Sequence, residues 1–234
     1  MSEKYHFQNG IMVLSDPELG INLQISFQPL LLPTWLRSSY APLEGEKLVV
    51  EPAQDSTPLS AHFEKDGVRE GQFRKYYPNG KVQAEGYYLH GKLHGPSMFF
   101  SEAGGKLAES WFVNGSLQGK SRYYYASGQL YAQKRYRDGK LEGLQEYFYE
   151  LGNTRTLMSY SAGRLHGDVR LYWENGQPKR IAYYKDGKRN GWDRIWDEKG
   201  MLIDEGQFQE GSPVGVHTRR FPNGSCREEV VYGN

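Results

Sequence analysis

Glycine recurs along this chain at a spacing of 24 residues, and that spacing constrains the fold more than any other feature of the sequence. Three series of seven glycines keep the period without an insertion or deletion. The series run from Gly67 to Gly211, from Gly71 to Gly215 and from Gly80 to Gly224. A fixed period of about 20 to 50 residues indicates stacked structural repeats. Residues 61–234 are therefore predicted to form an array of seven tandem units.

Each unit has the pattern of a β-hairpin. Asn79-Gly80, Asn175-Gly176 and Asn223-Gly224 are hairpin-turn pairs, because both residues tolerate positive φ. A G-x-x-x-G segment such as 91–95 is expected to make the opposite turn, and runs of about 6 to 8 residues between the turns have the length of strands. The predicted fold class is all-β, an elongated antiparallel β-meander of seven 24-residue hairpin repeats.

Aromatic residues occupy two fixed positions of the unit. The first position holds Tyr76, Phe100, Tyr124, Phe148, Tyr172 and Trp196, and the second holds Tyr88, Phe112, Tyr136, Tyr160, Tyr184 and Phe208. One unit cannot bury its own apolar face, so stacking must do it, and identical register aligns these rings into cross-strand ladders.

The repeat resembles a known family. Its pattern G-x-x-x-G-x-x-x-x-Y-Y-x-N-G ends at Gly80 in one copy and, with Trp for the second Tyr, at Gly176 in another. This pattern is similar to the variant form of the MORN repeat, and the similarity covers about residues 63–232. The resemblance implies a membrane-associated or cytoskeletal scaffold, or an antitoxin-like partner of a toxin. Some relatives carry an enzymatic domain, for which this chain has no room.

Residues 1–60 lack the period. Residues 5–14 are predicted to form a hairpin around Asn9-Gly10, and alternating apolar and polar residues predict a strand at 20–27. The prolines of residues 44–60 indicate a linker. We interpret 1–60 as a small β-rich N-terminal cap and linker, because an open sheet edge invites aggregation. The alternative is a separate partner-binding or targeting segment.

Residues with catalytic chemistry do not form a recognisable site. There is no phosphate loop and no Gly-x-Ser-x-Gly elbow. His94 and His166 occupy the same position three units apart, too far to share a metal. Four glutamates share one register, Glu85, Glu109, Glu205 and Glu229, which we interpret as solvated positions facing basic neighbours. We therefore expect a non-enzymatic protein with no cofactor and no metal.

The candidate binding surface is a mixed ladder in which arginine precedes an aromatic residue by two positions. Its members are Arg74, Tyr76, Arg122, Tyr124, Arg170, Tyr172, Arg194 and Trp196. Residues two apart on a strand share a sheet face, and arginine with aromatic rings is enriched at interface hot spots. The alternative is that the aromatic ladder only builds the core of the repeats, with arginine stems packed on it.

These features together predict a binding scaffold. A net charge of +1 argues against a nucleic-acid partner and gives little attraction to an anionic membrane surface, which stays the weaker alternative. A single cysteine, the lack of a signal peptide and the absence of a long apolar run favour the cytoplasm, although a signal-less export route stays open. The expected partner is a protein of unknown identity, and the sequence leaves the oligomeric state open.

Overall fold

The computed structural model describes residues 6–8, 11–16, 21–26, 45, 47–52 and 58–233. All regular elements in these ranges are β-strands, which confirms the all-β prediction. The strands are β1 (His6–Gln8), β2 (Ile11–Asp16), β3 (Ile21–Ser26), β4 (Lys47–Pro52), β5 (Pro58–Lys65), β6 (Val68–Tyr76), β7 (Val82–Leu89), β8 (Lys92–Leu93), β9 (Gly95–Phe100), β10 (Lys106–Val113), β11 (Ser116–Leu117), β12 (Gly119–Tyr124), β13 (Leu130–Arg137), β14 (Lys140–Leu141), β15 (Gly143–Phe148), β16 (Thr154–Ser161), β17 (Arg164–Tyr172), β18 (Pro178–Lys185), β19 (Lys188–Trp196), β20 (Leu202–Gln209), β21 (Ser212–Arg220) and β22 (Cys226–Tyr232). Within the same ranges, no helix has the length and apolar character needed to cross a membrane.

The chain divides into two compact units. The first unit contains residues 1–128 and 136–139, and the second contains 129–135 and 140–234. In the first unit the strands from β4 to β12 pair antiparallel with their sequence neighbours, with β8 and β9 both facing β7 and with β11 and β12 both facing β10. In the second unit the strands from β15 to β22 pair in the same consecutive order. The predicted meander of hairpins is confirmed.

Each of the seven glycines of the first series, from Gly67 to Gly211, lies in a tight turn that joins two consecutive strands. In each turn this glycine has φ between 76° and 93°, and the residue before it has φ between 49° and 53°. The turn has two residues, as shown by the pairing of Lys65 with Val68 and of Ser161 with Arg164. Two consecutive residues with positive φ define the type I′ turn, whose twist matches that of the flanking strands.

The second glycine of each G-x-x-x-G segment lies in a strand and not in the turn, which corrects the sequence interpretation. Gly167 has φ of 101°, and the register between β16 and β17 shifts beside it, so the glycine marks a β-bulge. An added Cβ there would lie 3.1 Å from the Cβ of Ser159. Space and backbone conformation both favour glycine at this position.

Seven wider turns close the other end of the hairpins, and they differ from our expectation for Asn-Gly. Only the glycine has positive φ, between 79° and 96°, and its N–H donates to the carbonyl three residues earlier at 2.8 to 3.0 Å. Asn79 and Asn175 act through their side chains. Each Oδ1 accepts the N–H two residues later, at 3.0 and 2.9 Å, and each Nδ2 donates to a carbonyl of the next repeat. The asparagine side chain therefore stabilises the turn through hydrogen bonds, and its backbone does not adopt the left-handed conformation.

Backbone hydrogen bonds also connect successive tight turns. The turn glycine donates its N–H to a carbonyl in the preceding repeat at 2.7 to 2.9 Å. The donors Gly91, Gly115, Gly139, Gly163, Gly187 and Gly211 bind the carbonyls of Arg69, Leu93, Leu117, Leu141, Leu165 and Arg189. These bonds require no particular side chain, so the stacking of repeats tolerates variation elsewhere in the unit. Together with the seven turns of each type, they confirm the predicted array of seven repeats.

Residues before the first repeat also form strands. β1, β2 and β3 make an antiparallel three-stranded sheet, which confirms the predicted hairpin and strand. β4 lies inside the expected linker and pairs with β5. Strand β2 lies in contact with β12, in the third repeat. The role of residues 1–60 as a cap stays a prediction.

Small and polar side chains dominate the most buried positions, whereas the two aromatic ladders are mainly half-buried. Ala132, Ser121 and Gln145 are fully buried. The Gln145 Oε1 accepts the N–H of Arg135 at 2.8 Å, and its Nε2 donates to the carbonyls of Glu142 and Gly143. This buried amide satisfies backbone groups beside the bulge, which would otherwise carry a desolvation penalty.

We expect Ala162→Asn to stabilise the protein. Ala162 has φ of 49°, a conformation that asparagine tolerates better than alanine, and Asn114 occupies the same position in an earlier repeat. The free energy of unfolding in urea should rise by about 0.5 to 1 kcal/mol. Ser161→Asn is the control, since that residue lies in a strand, and it should give no gain. An unchanged unfolding midpoint for Ala162→Asn would contradict the turn assignment.

We expect Tyr149→Phe to destabilise the second unit by about 1 kcal/mol, the usual net contribution of one hydrogen bond. The Tyr149 hydroxyl donates to the carbonyl of Tyr172 at 2.8 Å, which ties one wider turn to the next repeat. Tyr183→Phe makes the same chemical change on a side chain that is 40% exposed. Urea unfolding should separate the two variants, and equal midpoints would show that the turn bond contributes nothing.

Candidate functional site

Three arginines of the predicted ladder pair across strands with three of the recurring glutamates. Arg74 lies opposite Glu85 in the register, and its Nε donates to the carboxylate at 3.0 Å. Arg194 lies opposite Glu205 with a corresponding distance of 3.3 Å. From sequence we expect solvated glutamates beside basic neighbours. The basic neighbours are present, but the two carboxylates are only 13% and 19% exposed, so their solvation was wrongly predicted.

The carboxylate of Glu109 accepts hydrogen bonds from two candidate residues. Its carboxylate accepts from Arg122 at 3.1 Å and from the Tyr124 hydroxyl at 2.9 Å, and Lys106 Nζ lies 2.8 Å from its other oxygen. Burial raises the pKa of Glu109, but the three hydrogen bonds outweigh it, so the pKa lies below its ordinary value. The carboxylate is therefore held ionised as a structural acceptor, which argues against a role as general acid.

The candidate residues separate into two groups of four. Arg74, Tyr76, Arg122 and Tyr124 lie in the first unit, and Arg170, Tyr172, Arg194 and Trp196 lie in the second. Arg170 donates to Asp168 at 2.6 Å, with both side chains 46% exposed. Arg220, which replaces the aromatic residue in the last repeat, donates to Glu205 at 2.9 Å. The part played by the eight candidates in binding stays a prediction.

A neighbouring row of side chains, which the sequence analysis missed, differs in exposure between the units. We call the sheet face with Gln72, Arg74 and Tyr87 the front face, and the positions equivalent to Gln72 and Tyr87 in every repeat the central row. In the last four repeats the central row exposes five large apolar side chains, Leu144 (36%), Tyr183 (40%), Trp192 (41%), Val216 (47%) and Val231 (73%). Residue hydrophobicity alone could not reveal this row, because apolar residues alternate with polar ones along it.

Trp192 joins the central row to the predicted ladder. The Arg194 guanidinium lies 4.4 Å from the centroid of the Trp192 ring, and residues 192, 194 and 196 alternate onto the same face. A cation over an indole face is a favourable contact. The structure therefore places an exposed tryptophan beside the predicted site residue Arg194, on the face that also carries Trp196.

An open depression of about 410 Å³ lies between wider turns of the first unit, lined by Gly80, Lys81, Val82, Glu85, Phe100 and Gly104. Its charged groups already have partners. Glu85 binds Arg74, and Lys81 Nζ donates to the Ala103 carbonyl at 2.9 Å. Among the residues that the structure describes, no group of three or more His, Cys, Asp or Glu is arranged to hold a metal.

Comparison with known families supports the period and the register of these hairpins. A family model of the MORN repeat variant matches residues 69–90, 117–138 and 165–186. The matches start 48 residues apart, which is two periods, and they contain Arg74, Arg122 and Arg170 with their aromatic neighbours. None of the curated proteins compared with the chain is similar to it.

A histidine side chain stabilises one of the tight turns. The Nδ1 of His94 accepts the N–H of Asn114, the first residue of the next tight turn, at 3.3 Å. In other repeats the side chain at this position likewise accepts the N–H of the first residue of the next tight turn, as in Glu70, Glu142 and Asn190. Burial lowers the pKa of His94 below its ordinary value of 6.5, so the neutral ring is the form that the folded protein holds.

This geometry predicts a stability loss in mild acid. Because the pKa of His94 is lower in the folded than in the unfolded chain, the unfolded chain binds more protons once the pH falls below about 6.5. The contribution of His94 to stability is therefore present above that pH and declines as the pH falls toward the folded pKa. In His94→Gln, which copies Gln118 of the next repeat, the decline in unfolding midpoint between pH 7.5 and 5.5 should be shallower. Identical pH profiles for the two proteins would contradict this assignment.

Proposed function

We propose that this protein is a non-enzymatic interaction scaffold that presents the front face of its second unit to a protein partner. The observation that carries the proposal is the exposed central row, in which Tyr183, Trp192 and Val216 lie open to solvent. Groups of exposed large apolar side chains rimmed by polar residues on soluble proteins often mark interaction sites. The predicted ladder residues Arg170, Tyr172, Arg194 and Trp196 share this face and extend the surface beyond the row.

The residue types of this surface support protein recognition. Tryptophan, tyrosine and arginine are the residues most enriched among those that dominate binding energy at protein interfaces. Trp192 is already stacked on Arg194, which limits the side-chain freedom that binding would remove. Truncation of such a pair usually weakens binding by about 2 kcal/mol or more, which corresponds to more than tenfold in affinity.

The charges of the second unit argue against a polyanionic partner. Arg170 pairs with Asp168, and Arg194 and Arg220 share the carboxylate of Glu205, so the charge of these three cations is partly neutralised within the sheet. Binding to nucleic acid or to anionic lipid depends on cations that are available to phosphate groups. Similarity to the MORN repeat variant also supports a non-catalytic binding role, since such repeats typically act as binding modules.

The experiment is affinity capture with the full chain as bait, followed by mass spectrometry and binding measurements with the purified partner. We expect Trp192→Ala/Arg194→Ala to bind the partner at least tenfold more weakly, because it removes the ring and the cation together. Lys75→Ala/Phe99→Ala is the matched control, since Phe99 is 42% exposed on the opposite face of the first unit. Both variants should show wild-type circular dichroism.

Three results would contradict the proposal. The first is equal binding by both variants, which would place the interaction elsewhere. The second is binding to anionic vesicles without any protein partner, which would favour the membrane alternative. The third is catalytic turnover by the purified chain. If the captured partner is instead a toxin whose activity the chain blocks through Trp192, the surface assignment stands and the scaffold acts as an inhibitor of the antitoxin type.

A further inference from the structure

Two guanidinium groups on the front face of the second unit share one carboxylate. Glu205 lies opposite Arg194 in the register of β19 and β20, and the Arg194 Nε donates to its carboxylate at 3.3 Å. Glu205 also lies opposite Thr218 of β21, and Arg220, two residues further along that strand, donates to the other carboxylate oxygen at 2.9 Å. We call Arg194, Glu205 and Arg220 the Glu205 group. Its two positive charges and one negative charge leave one positive charge uncompensated.

Most N–H donors of these two arginines make no hydrogen bond to the residues that the structure describes. A guanidinium has five N–H donors, and each of the two uses one of them on Glu205. The Arg194 side chain is 41% exposed, so its remaining donors are accessible from solvent. The Arg220 side chain is 26% exposed, and its Nη1 has no partner in the described part of the chain. Both arginines therefore keep donors that a second acceptor could use.

The other carboxylates near this group do not supply the missing charge. Asp168 pairs with Arg170 at 2.6 Å. Glu229 lies opposite Thr218 on the outer side and is exposed, and among the described residues it forms no ion pair with Arg220. The positive charge of the Glu205 group is therefore left to solvent ions or to a binding partner.

This charge lies beside exposed apolar side chains of the central row. The Arg194 guanidinium lies 4.4 Å from the centroid of the Trp192 ring, which is 41% exposed. On β21 the 47% exposed Val216 lies on the same face as Arg220, because side chains alternate along a strand. Positions two residues apart on a strand are about 7 Å apart. Neighbouring side chains of one partner segment can therefore reach the cations and the apolar row together.

We propose that the partner of the second unit presents an acidic side chain next to an apolar one. The carboxylate binds Arg194 and Arg220, and the apolar side chain packs on Trp192 and Val216. Charge complementarity selects this chemistry, because a carboxylate offers two acceptors to planar N–H donors and cancels the single uncompensated charge. A basic side chain would be repelled at the same place. This inference rests on the proposed function and adds the chemistry by which the partner is recognised.

The experiment selects peptides from a random library displayed on phage, with the full chain as the target. We expect the selected sequences to carry Asp or Glu beside an apolar residue more often than the unselected library does. A selected peptide with a fluorescent label should bind the chain saturably in anisotropy, and replacement of its acid by the matching amide should weaken binding at least tenfold. Binding should also weaken as NaCl rises from about 50 to about 500 mM, because salt screens the charges.

Variants of the chain test the arginines directly. Arg220→Gln keeps a donor for Glu205 but removes the charge, and it should weaken peptide binding about tenfold and reduce its salt dependence. Arg219→Gln is the matched control, because it removes the same charge from the next residue of β21, which lies on the opposite face and binds Asp204. It should bind as the wild type does. Where Arg220→Gln lowers the unfolding midpoint, Arg194→Gln gives the same test at a more exposed side chain.

Glu205→Gln tests the competition within the group. It removes the carboxylate that occupies both arginines, so it should bind the acidic peptide more tightly than the wild type does. Damage to the fold would weaken binding, and the direction of the change therefore separates the two explanations. Weaker binding by Glu205→Gln at an unchanged unfolding midpoint would overturn the inference, as would equal binding by Arg220→Gln and Arg219→Gln or a selection without acidic enrichment.

The outcomes separate this inference from the proposed function. If affinity capture yields a partner that depends on Trp192 but binds Arg220→Gln and Arg219→Gln equally, the scaffold function stands and only the acidic chemistry is wrong. If neither a captured partner nor a selected peptide depends on Trp192, both fall. Binding to anionic vesicles that Arg220→Gln abolishes would also overturn the inference, because lipid phosphate would then be the ligand of the arginines.

Discussion

A two-residue reversal of type I′ follows the right-handed twist of its strands, with positive φ at both turn residues, and this requirement sets the form of every repeat. At each tight turn one residue with φ near 50° precedes a glycine, and from the second turn onward the N–H of that glycine donates to a carbonyl of the preceding repeat. One local conformation therefore fixes both the hairpin register and the stacking. Because the bonds that stack the turns are made by backbone atoms, the side chains of the front face can differ between repeats without loss of the architecture.

The glycine period was sufficient to predict the fold class, the number of hairpins and their order, since each glycine series reports a position where the backbone needs left-handed φ or close approach. The roles of individual residues were harder to predict. Asn79-Gly80 has the sequence of a type I′ turn, but that turn type is used by pairs such as Asp138-Gly139 and even Ala162-Gly163. Turn propensity located the chain reversal at Asn79-Gly80 correctly but predicted the wrong backbone conformation for it.

For the candidate site, too, the positions were predictable from the sequence but the roles of individual residues were not. Arginine and glutamate positions were recognised as two periodic rows, but only the strand register shows that Arg74 and Glu85 lie opposite each other and pair. The burial of polar side chains such as Gln145 and Asp193 could not be predicted from the sequence. Gln145 is fully buried because a bulge leaves backbone groups to be satisfied, and Asp193 is buried because Arg180 and Arg189 both bind it. Such compensations depend on neighbours that periodicity does not identify.

The exposed fractions of side chains along the central row are the opposite of what residue type alone predicts. Lys120 in the first unit and Arg135 in the second are 8% and 4% exposed, whereas Trp192 and Val216 in the second unit are 41% and 47% exposed. Charged side chains are seldom buried without partners, and Arg135 donates to the carbonyl of Leu144 at 2.7 Å and lies 3.6 Å from the carboxylate of Glu146. Exposed apolar area costs about 25 cal/mol for each Å² that could be removed from water. The exposed apolar side chains of the central row therefore have an unmet tendency for burial in the second unit, and under the proposed function that is where a partner gains most by binding.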